Sequence, residues 1–278
     1  ELTLEFGGGF SLIFRAYDDA AAYRWKTGFD REIVVNSEIA AFRFSEDFPL
    51  FFQEEESFFT HSERKNLHLR LSEITPERMA CCPALVELDG GVKVAVTESD
   101  LRDYAGMYLA GGASAHCLAG RFPRFVTSEE QRGDRNVAPT ERADYLARTS
   151  GDRVFPWRVL IITDSDRQLL DNQTVFKLGP EQMIEDTSWI RPGKVAWDWW
   201  NYNNIYGVDF RAGVNTDTYK YYIDFASRYG IEYIVLDEGW YKLGDLLSVS
   251  PEVDLEEIVR YAKSKDVEVV LWVVWKTL

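Results

Sequence analysis

Two short runs set carboxylates beside indole rings: Trp197-Asp198-Trp199-Trp200-Asn201 and Asp237-Glu238-Gly239-Trp240. An ionised carboxylate only accepts hydrogen bonds, and an indole offers a flat apolar face. Together they suit a sugar, whose hydroxyls donate to the acid while its C–H face lies on the ring. The candidate substrate-binding residues are Asp198, Trp199, Asp237, Glu238 and Trp240. The competing reading has the tryptophans plugging a core and the acids capping helices or meeting solvent. As an acid/base pair, Asp237 and Glu238 suit each other poorly. Neighbours in an extended segment point in opposite directions, whereas glycoside hydrolysis needs two carboxyls across the scissile bond, about 5–5.5 Å apart for retention and about 6.5–9.5 Å for inversion. Either acid could pair with a carboxylate from a later strand.

Those runs have to be held by something, and the pattern around them is repetitive. The buried run Val195-Ala196-Trp197 leads through a loop to a helix with Asn215 as its N-cap, Tyr219, Tyr222, Ile223 and Ala226 on one face, and Gly230 as its stop. A strand, Tyr233-Ile234-Val235-Leu236, comes next. In the second helix Asp254 and Glu257 have capping-box spacing, and Leu255, Ile258, Val259 and Ala262 face inward. A third strand begins at Val267. Units of strand and helix recurring every 38 and 36 positions, counted from Val195 to Tyr233 and on to Val269, indicate a parallel sheet covered by helices. An open nucleotide-binding sheet would want a glycine-rich turn after its first strand. Asp198-Trp199-Trp200-Asn201 is bulky instead, so a (β/α)8 barrel is preferred. Both acid and indole runs then fall at the carboxyl ends of strands, where such barrels carry their active sites.

Upstream the grammar differs. Short period-two runs, such as residues 10–17 and 91–96, with further strands at 33–36 and 158–163, predict an all-β sandwich over residues 1–190. The Gly7-Gly8-Gly9 run is compatible with a tight turn, a linker or a join. The expected fold class is thus multidomain, an N-terminal β-sandwich followed over residues 191–278 by the first part of a (β/α)8 barrel. A barrel takes about 250 residues, so with about three strands the chain is expected to be truncated within it and inactive by itself.

Of the 278 residues, 31 are Lys or Arg and 46 Asp or Glu, a net charge of −15 that repels polyphosphate and disfavours nucleic acid and anionic membranes as partners. An oligosaccharide substrate or a cation fits better. No apolar run reaches the length of a membrane span, the longest being broken by Glu268. Glu1 heads a strand-like segment rather than a signal peptide. Cys81, Cys82 and Cys117 lack the number and spacing of a disulfide framework and are read as packing residues. The histidines, His61, His68 and His116, show no zinc spacing.

Residues 185–200 (EDTSWIRPGKVAWDWW), 213–226 (GVNTDTYKYYIDFA) and 236–240 (LDEGW) together resemble the start of the barrel of glycoside hydrolase family 97. The β region resembles it more thinly, in 14–19 (FRAYDD), 97–101 (TESDL) and 154–158 (VFPWR). The resemblance implies a calcium-dependent, exo-acting α-glycosidase, α-glucosidase or α-galactosidase, that removes terminal α-linked sugars and is periplasmic or secreted. It implies catalytic carboxylates on later barrel strands, so none is assigned here. It also implies a Ca²⁺ ligand from the β-sandwich, for which Glu98 is the best-matching position. The alternative, from a different class, is a carbohydrate-binding or assembly module without hydrolytic activity.

Overall fold

Antiparallel pairing dominates the first two-thirds of the chain and parallel pairing the rest. The computed structural model describes residues 1–133 and 135–278. It divides into unit 1, Glu1–Glu130 with Val137–Gln182, and unit 2, Gln131–Asn136 with Met183–Leu278.

Unit 1 is built on two sheets. The larger has nine strands and runs from the edge strand Leu2–Phe6 through Phe10–Tyr17, Ala20–Gly28, Trp157–Thr163, Lys93–Ser99, Ala84–Glu87 and Pro49–Phe52 to Leu67–Arg70. The smaller has five strands, with Cys117–Arg121, Tyr108–Gly111 and Met79–Cys81 at its centre. One hydrophobic core draws on both: Leu50, Phe52, Val86 and Val96 come from the first, Phe42, Leu109 and Leu118 from the second. Shared burial of that kind is what makes two amphipathic sheets stack. The triple glycine is a tight turn, closing the hairpin whose last pair is Phe6 and Phe10. Gly8 and Gly9 sit at φ 102° and 84°, where a side chain would be strained. The three cysteines are free thiols.

In unit 2 the strands Val195–Trp197, Tyr233–Leu236 and Glu268–Leu271 form a parallel sheet with Tyr233–Leu236 in the middle. The helices Thr216–Tyr229 and Leu255–Ser264 cover one face. Alternation decides which side chains they cover. Ile234 and Leu236 point at the helices and are buried against Ile223, Ala226, Ile258 and Ala262, each burial stabilising by about 1.5–3 kcal/mol. Asn215 accepts the Thr218 N–H at 2.9 Å, Asp254 accepts the Glu257 N–H at 2.9 Å, and Gly230 ends the first helix at φ 65°. Thr216 ties the two helix starts together. Its N–H donates to the Glu252 carbonyl at 3.0 Å, and its hydroxyl donates to the same carbonyl at 3.3 Å while accepting the Asp254 N–H at 2.8 Å. The opposite sheet face, with Val195, Trp197 and Val270, is exposed. Among the described residues no helix is long and apolar enough to cross a membrane.

Candidate functional site

The carboxyl ends of the three parallel strands bring together Trp197, Asp237 with Glu238, and Trp272. An open groove of about 440 Å³ runs along the exposed sheet face, from Arg191, Gly193 and Tyr233 near the strand starts to Trp197, Asp237 and Trp272 at their carboxyl ends. The Asp237 carboxylate is held on both oxygens. Its Oδ2 accepts the Trp197 indole N–H at 2.6 Å across the strand pair, and its Oδ1 accepts the Glu238 backbone N–H at 2.7 Å. Hydrogen bonds to an ionised acceptor are the strong ones, so Asp237 is oriented before any ligand arrives. Each carboxylate oxygen has a second lone pair, which leaves acceptor capacity for a hydroxyl.

Glu238 takes a different partner. Its Oε1 pairs with Arg135 Nη2 at 2.7 Å, and the Arg135 guanidinium sits 5.9 Å from the centre of the Trp272 ring. Adjacent acids with different partners are what an extended segment gives.

The other expected sugar ligands are placed elsewhere. Asp198 is 1% exposed and starts a short 3-10 turn directly after its strand, so it presents almost no surface to a ligand. Among the described residues its Oδ1 and the buried Tyr219 hydroxyl close no hydrogen bond of good geometry, yet the two side chains interact, the phenol favouring the ionised Asp198. With its amide nitrogen turned toward Asp198, Asn203 donates to Oδ2 at 3.2 Å. Burial is the main cause raising the Asp198 carboxyl above its ordinary range, and it raises the Tyr219 phenol likewise. Trp240 is 4% exposed and belongs to the core, its ring tilted against Tyr241 and its indole N–H donating to the Trp272 carbonyl at 2.8 Å. Trp199 is exposed but lies 4.4 Å from the Tyr202 ring and is not part of the groove wall. Of the five expected residues, Asp237 lines the groove and Glu238 sits beside it at the same strand end, paired with Arg135. Trp272 and Arg135 join them without having been singled out; a tryptophan directly after the third strand was a readable signal for the first, and no local pattern marks the second.

Glu98 does not fit a calcium ligand. It stands opposite Arg158 in the ladder between Lys93–Ser99 and Trp157–Thr163. Its Oε2 pairs with Arg158 Nη1 at 2.6 Å and its Oε1 accepts the Met107 N–H at 2.9 Å. The buried guanidinium also grips Glu38, through Nε at 2.6 Å and Nη2 at 2.7 Å. A cation brought to Glu98 would face this arginine. Among the described residues no group of three or more His, Cys, Asp or Glu could hold a metal. Unit 1 has an apolar groove of about 510 Å³ lined by Phe10, Trp25, Phe29, Tyr104 and Phe155. The acid on its wall, Glu38, is the one taken by Arg158, so this groove lacks an acid free to grip a sugar.

The parallel strands thus end in an acid oriented by one indole, with a second, half-buried indole at the next strand end. The comparisons with known proteins define the class. The model of the family 97 N-terminal domain matches residues 1–180 and that of glycoside hydrolase 97 matches residues 199–278. The chain belongs to glycoside hydrolase family 97. It is 39% identical over 284 residues to a retaining α-galactosidase of Bacteroides thetaiotaomicron, covering 98% of this chain and 43% of that protein. A probable retaining α-galactosidase of Streptomyces bingchenggensis is 31% identical over 135 residues, 47% of this chain and 20% of that one. The fold is that of a family 97 enzyme from Pseudoalteromonas sp. strain K8 in complex with acarbose, with a TM-score of 0.75 at 20% identity, covering 94% of this chain and 39% of the other. A β-arabinopyranosidase structure gives 0.69 at 19% identity, over 95% and 40%. The chain thus spans about two-fifths of the relatives it matches along its whole length.

Proposed function

We propose that the whole protein is an exo-acting, retaining α-galactosidase that removes terminal α-linked sugars from oligosaccharides, and that this chain supplies its β-rich N-terminal domain and the first strands of a (β/α)8 barrel. The observation that carries the reading is Asp237, pre-oriented by the exposed Trp197 indole at 2.6 Å and placed at a strand end. Asp237 and Glu238 accept from sugar hydroxyls and fix the ring's orientation. They do not perform the bond cleavage, because retention needs two facing carboxyls about 5–5.5 Å apart and these two are neighbours on one strand end. The exposed face of the parallel sheet is, on this reading, the wall of the barrel interior. The galactoside preference rests on the 39% identity to a retaining α-galactosidase; an α-glucoside is the runner-up.

Calcium dependence and a periplasmic or secreted location rest on the resemblance alone. Calcium would be held by ligands other than Glu98, and no step is assigned to it. Hydrolysis of 4-nitrophenyl α-galactopyranoside against the α-glucopyranoside by the whole protein, with NMR of the first-formed anomer, tests the reading. Sugar binding without turnover of either substrate would instead make it a binding module.

A further inference from the structure

The first strand of the parallel sheet is followed at once by the 3-10 turn Asp198–Asn201, and the chain leaves that turn through Tyr202 and Asn203 at φ 57° and 55°. Side-chain-bearing residues held in this left-handed region cost about 1–3 kcal/mol each and persist where the surroundings over-determine them. Asp198 is where those constraints meet. Its carbonyl accepts the Asn203 N–H at 3.0 Å, and the Asn203 side-chain amide, turned as above, reaches the same carbonyl at 3.1 Å and Oδ2 at 3.2 Å. Burial is the largest influence on the Asp198 carboxyl and opposes its ionisation, as does the Asp237 carboxylate; the Tyr219 hydroxyl and the backbone amides of Asp237 and Trp199 favour it.

One buried carboxyl thus faces its own turn, the helix Thr216–Tyr229 and the main chain of Asp237 at the next strand end. The residue before it is Trp197, whose indole N–H orients the Asp237 carboxylate. At 1% exposure, an acid is a costly way to fill this space, since burying a carboxyl carries a desolvation penalty that an apolar side chain does not. We propose that Asp198 is a positioning residue for the sugar site. It fixes the Asp237 main chain on one side and the turn after Trp197 on the other, and so sets the hydrogen bond between Trp197 and Asp237 without itself touching the sugar. This assignment rests on the reading that Asp237 accepts from a sugar hydroxyl.

The test is steady-state kinetics of the whole protein on 4-nitrophenyl α-galactopyranoside, with free galactose as competitive inhibitor. The variants are Asp198→Asn, Asp198→Ala, Asp237→Ala and the combination of Asp198→Ala with Asp237→Ala. Asparagine keeps the shape and one accepting oxygen, so Asp198→Asn should raise the galactose inhibition constant about three- to tenfold, and Asp198→Ala, which keeps neither, about tenfold or more. Because Asp198 acts through Asp237, Asp198→Ala should change kcat/KM by less than about twofold once Asp237 is already alanine. A merely structural acid would lower kcat/KM by the same factor in both backgrounds. That equal loss, or an inhibition constant within about twofold of wild type in both Asp198 variants, overturns the assignment while leaving the glycosidase reading intact. Should Asp198→Ala fail to fold, the same cycle is run with Asp198→Asn. A wild type that hydrolyses neither this galactoside nor the corresponding glucoside, and binds neither sugar, would sink both.

Discussion

Unit 1 and unit 2 each hold a pair of acids with an arginine, and the two clusters differ in what remains unsatisfied. Arg158 is 1% exposed, with Glu38 and Glu98 clamped around its fork. Every group there has found its partner inside the chain, so the cluster is complete as it stands. Asp237, Glu238 and Arg135 use the same residue types at part-exposed positions, where Asp237 keeps acceptor capacity in reserve. An acid beside a cation therefore says little about function until the count of remaining lone pairs and the access to them are known.

The comparison is broken most violently from the buried side. Arg158→Met strands two carboxylates out of water, and uncompensated buried charge costs about 3–5 kcal/mol. Urea unfolding should show that loss, and a loss below about 1 kcal/mol would mean that water reaches the cluster. Glu98→Gln belongs to the same test: its unfolding midpoint should fall while calcium titration of the whole protein is unchanged. A lowered calcium affinity would restore Glu98 as a ligand.

On the open side, Asp237→Ala in the whole protein should lower kcat/KM on an aryl α-galactoside about hundredfold, roughly 2.7 kcal/mol of transition-state stabilisation. Unchanged kcat/KM would remove Asp237 from the site. Asp198 sharpens the contrast between the two kinds of acid. Its carboxyl is raised in the folded state, chiefly by burial, so the native form holds its proton longer than the unfolded chain. The associated stability is fully present below the ordinary carboxyl range, about pH 4, and is lost as pH rises through the raised value. Asp198→Asn cannot titrate, so it should gain on wild type between pH 4 and neutrality when urea midpoints are compared. Parallel pH profiles would mean that the carboxyl ionises as readily folded as unfolded. The smallest effect belongs to Trp199→Ala, expected to change stability by no more than about 0.5 kcal/mol and to leave KM where it was. A large rise in KM would bring Trp199 back to the substrate.

The strand-helix units were legible because period and caps agree. Asn215, Asp254 and Gly230 do in the structure what their types favour at those positions, and burial alternates through Tyr233–Leu236 as the pattern requires. Site membership was less legible. Asp198 and Asp237 follow equivalent strands and look alike in sequence, but the chain turns down into a 3-10 turn after one and not the other. Trp240 was misjudged because its ring packs inward while its N–H caps the Trp272 carbonyl. The pairing of Glu98 was not legible because Arg158, its partner, lies 60 residues away across a ladder. Arg135 stood no chance of detection, since 103 residues separate it from Glu238 and nothing around it announces a ligand. Local grammar specifies elements; the partners of polar side chains are set by contacts that only the assembled sheet creates.

The threonine that joins the two helix starts has a dynamic consequence. Because the Thr216 amide and hydroxyl both meet the Glu252 carbonyl and the same hydroxyl receives the Asp254 amide, neither first turn can fray without releasing the other. The two helices should then open as one cooperative unit rather than as two. In native-state hydrogen exchange, the amides of Thr216 and Asp254 would share one protection free energy despite lying 38 positions apart in sequence. Thr216→Val, which removes the hydroxyl and keeps the shape, would split that value in two.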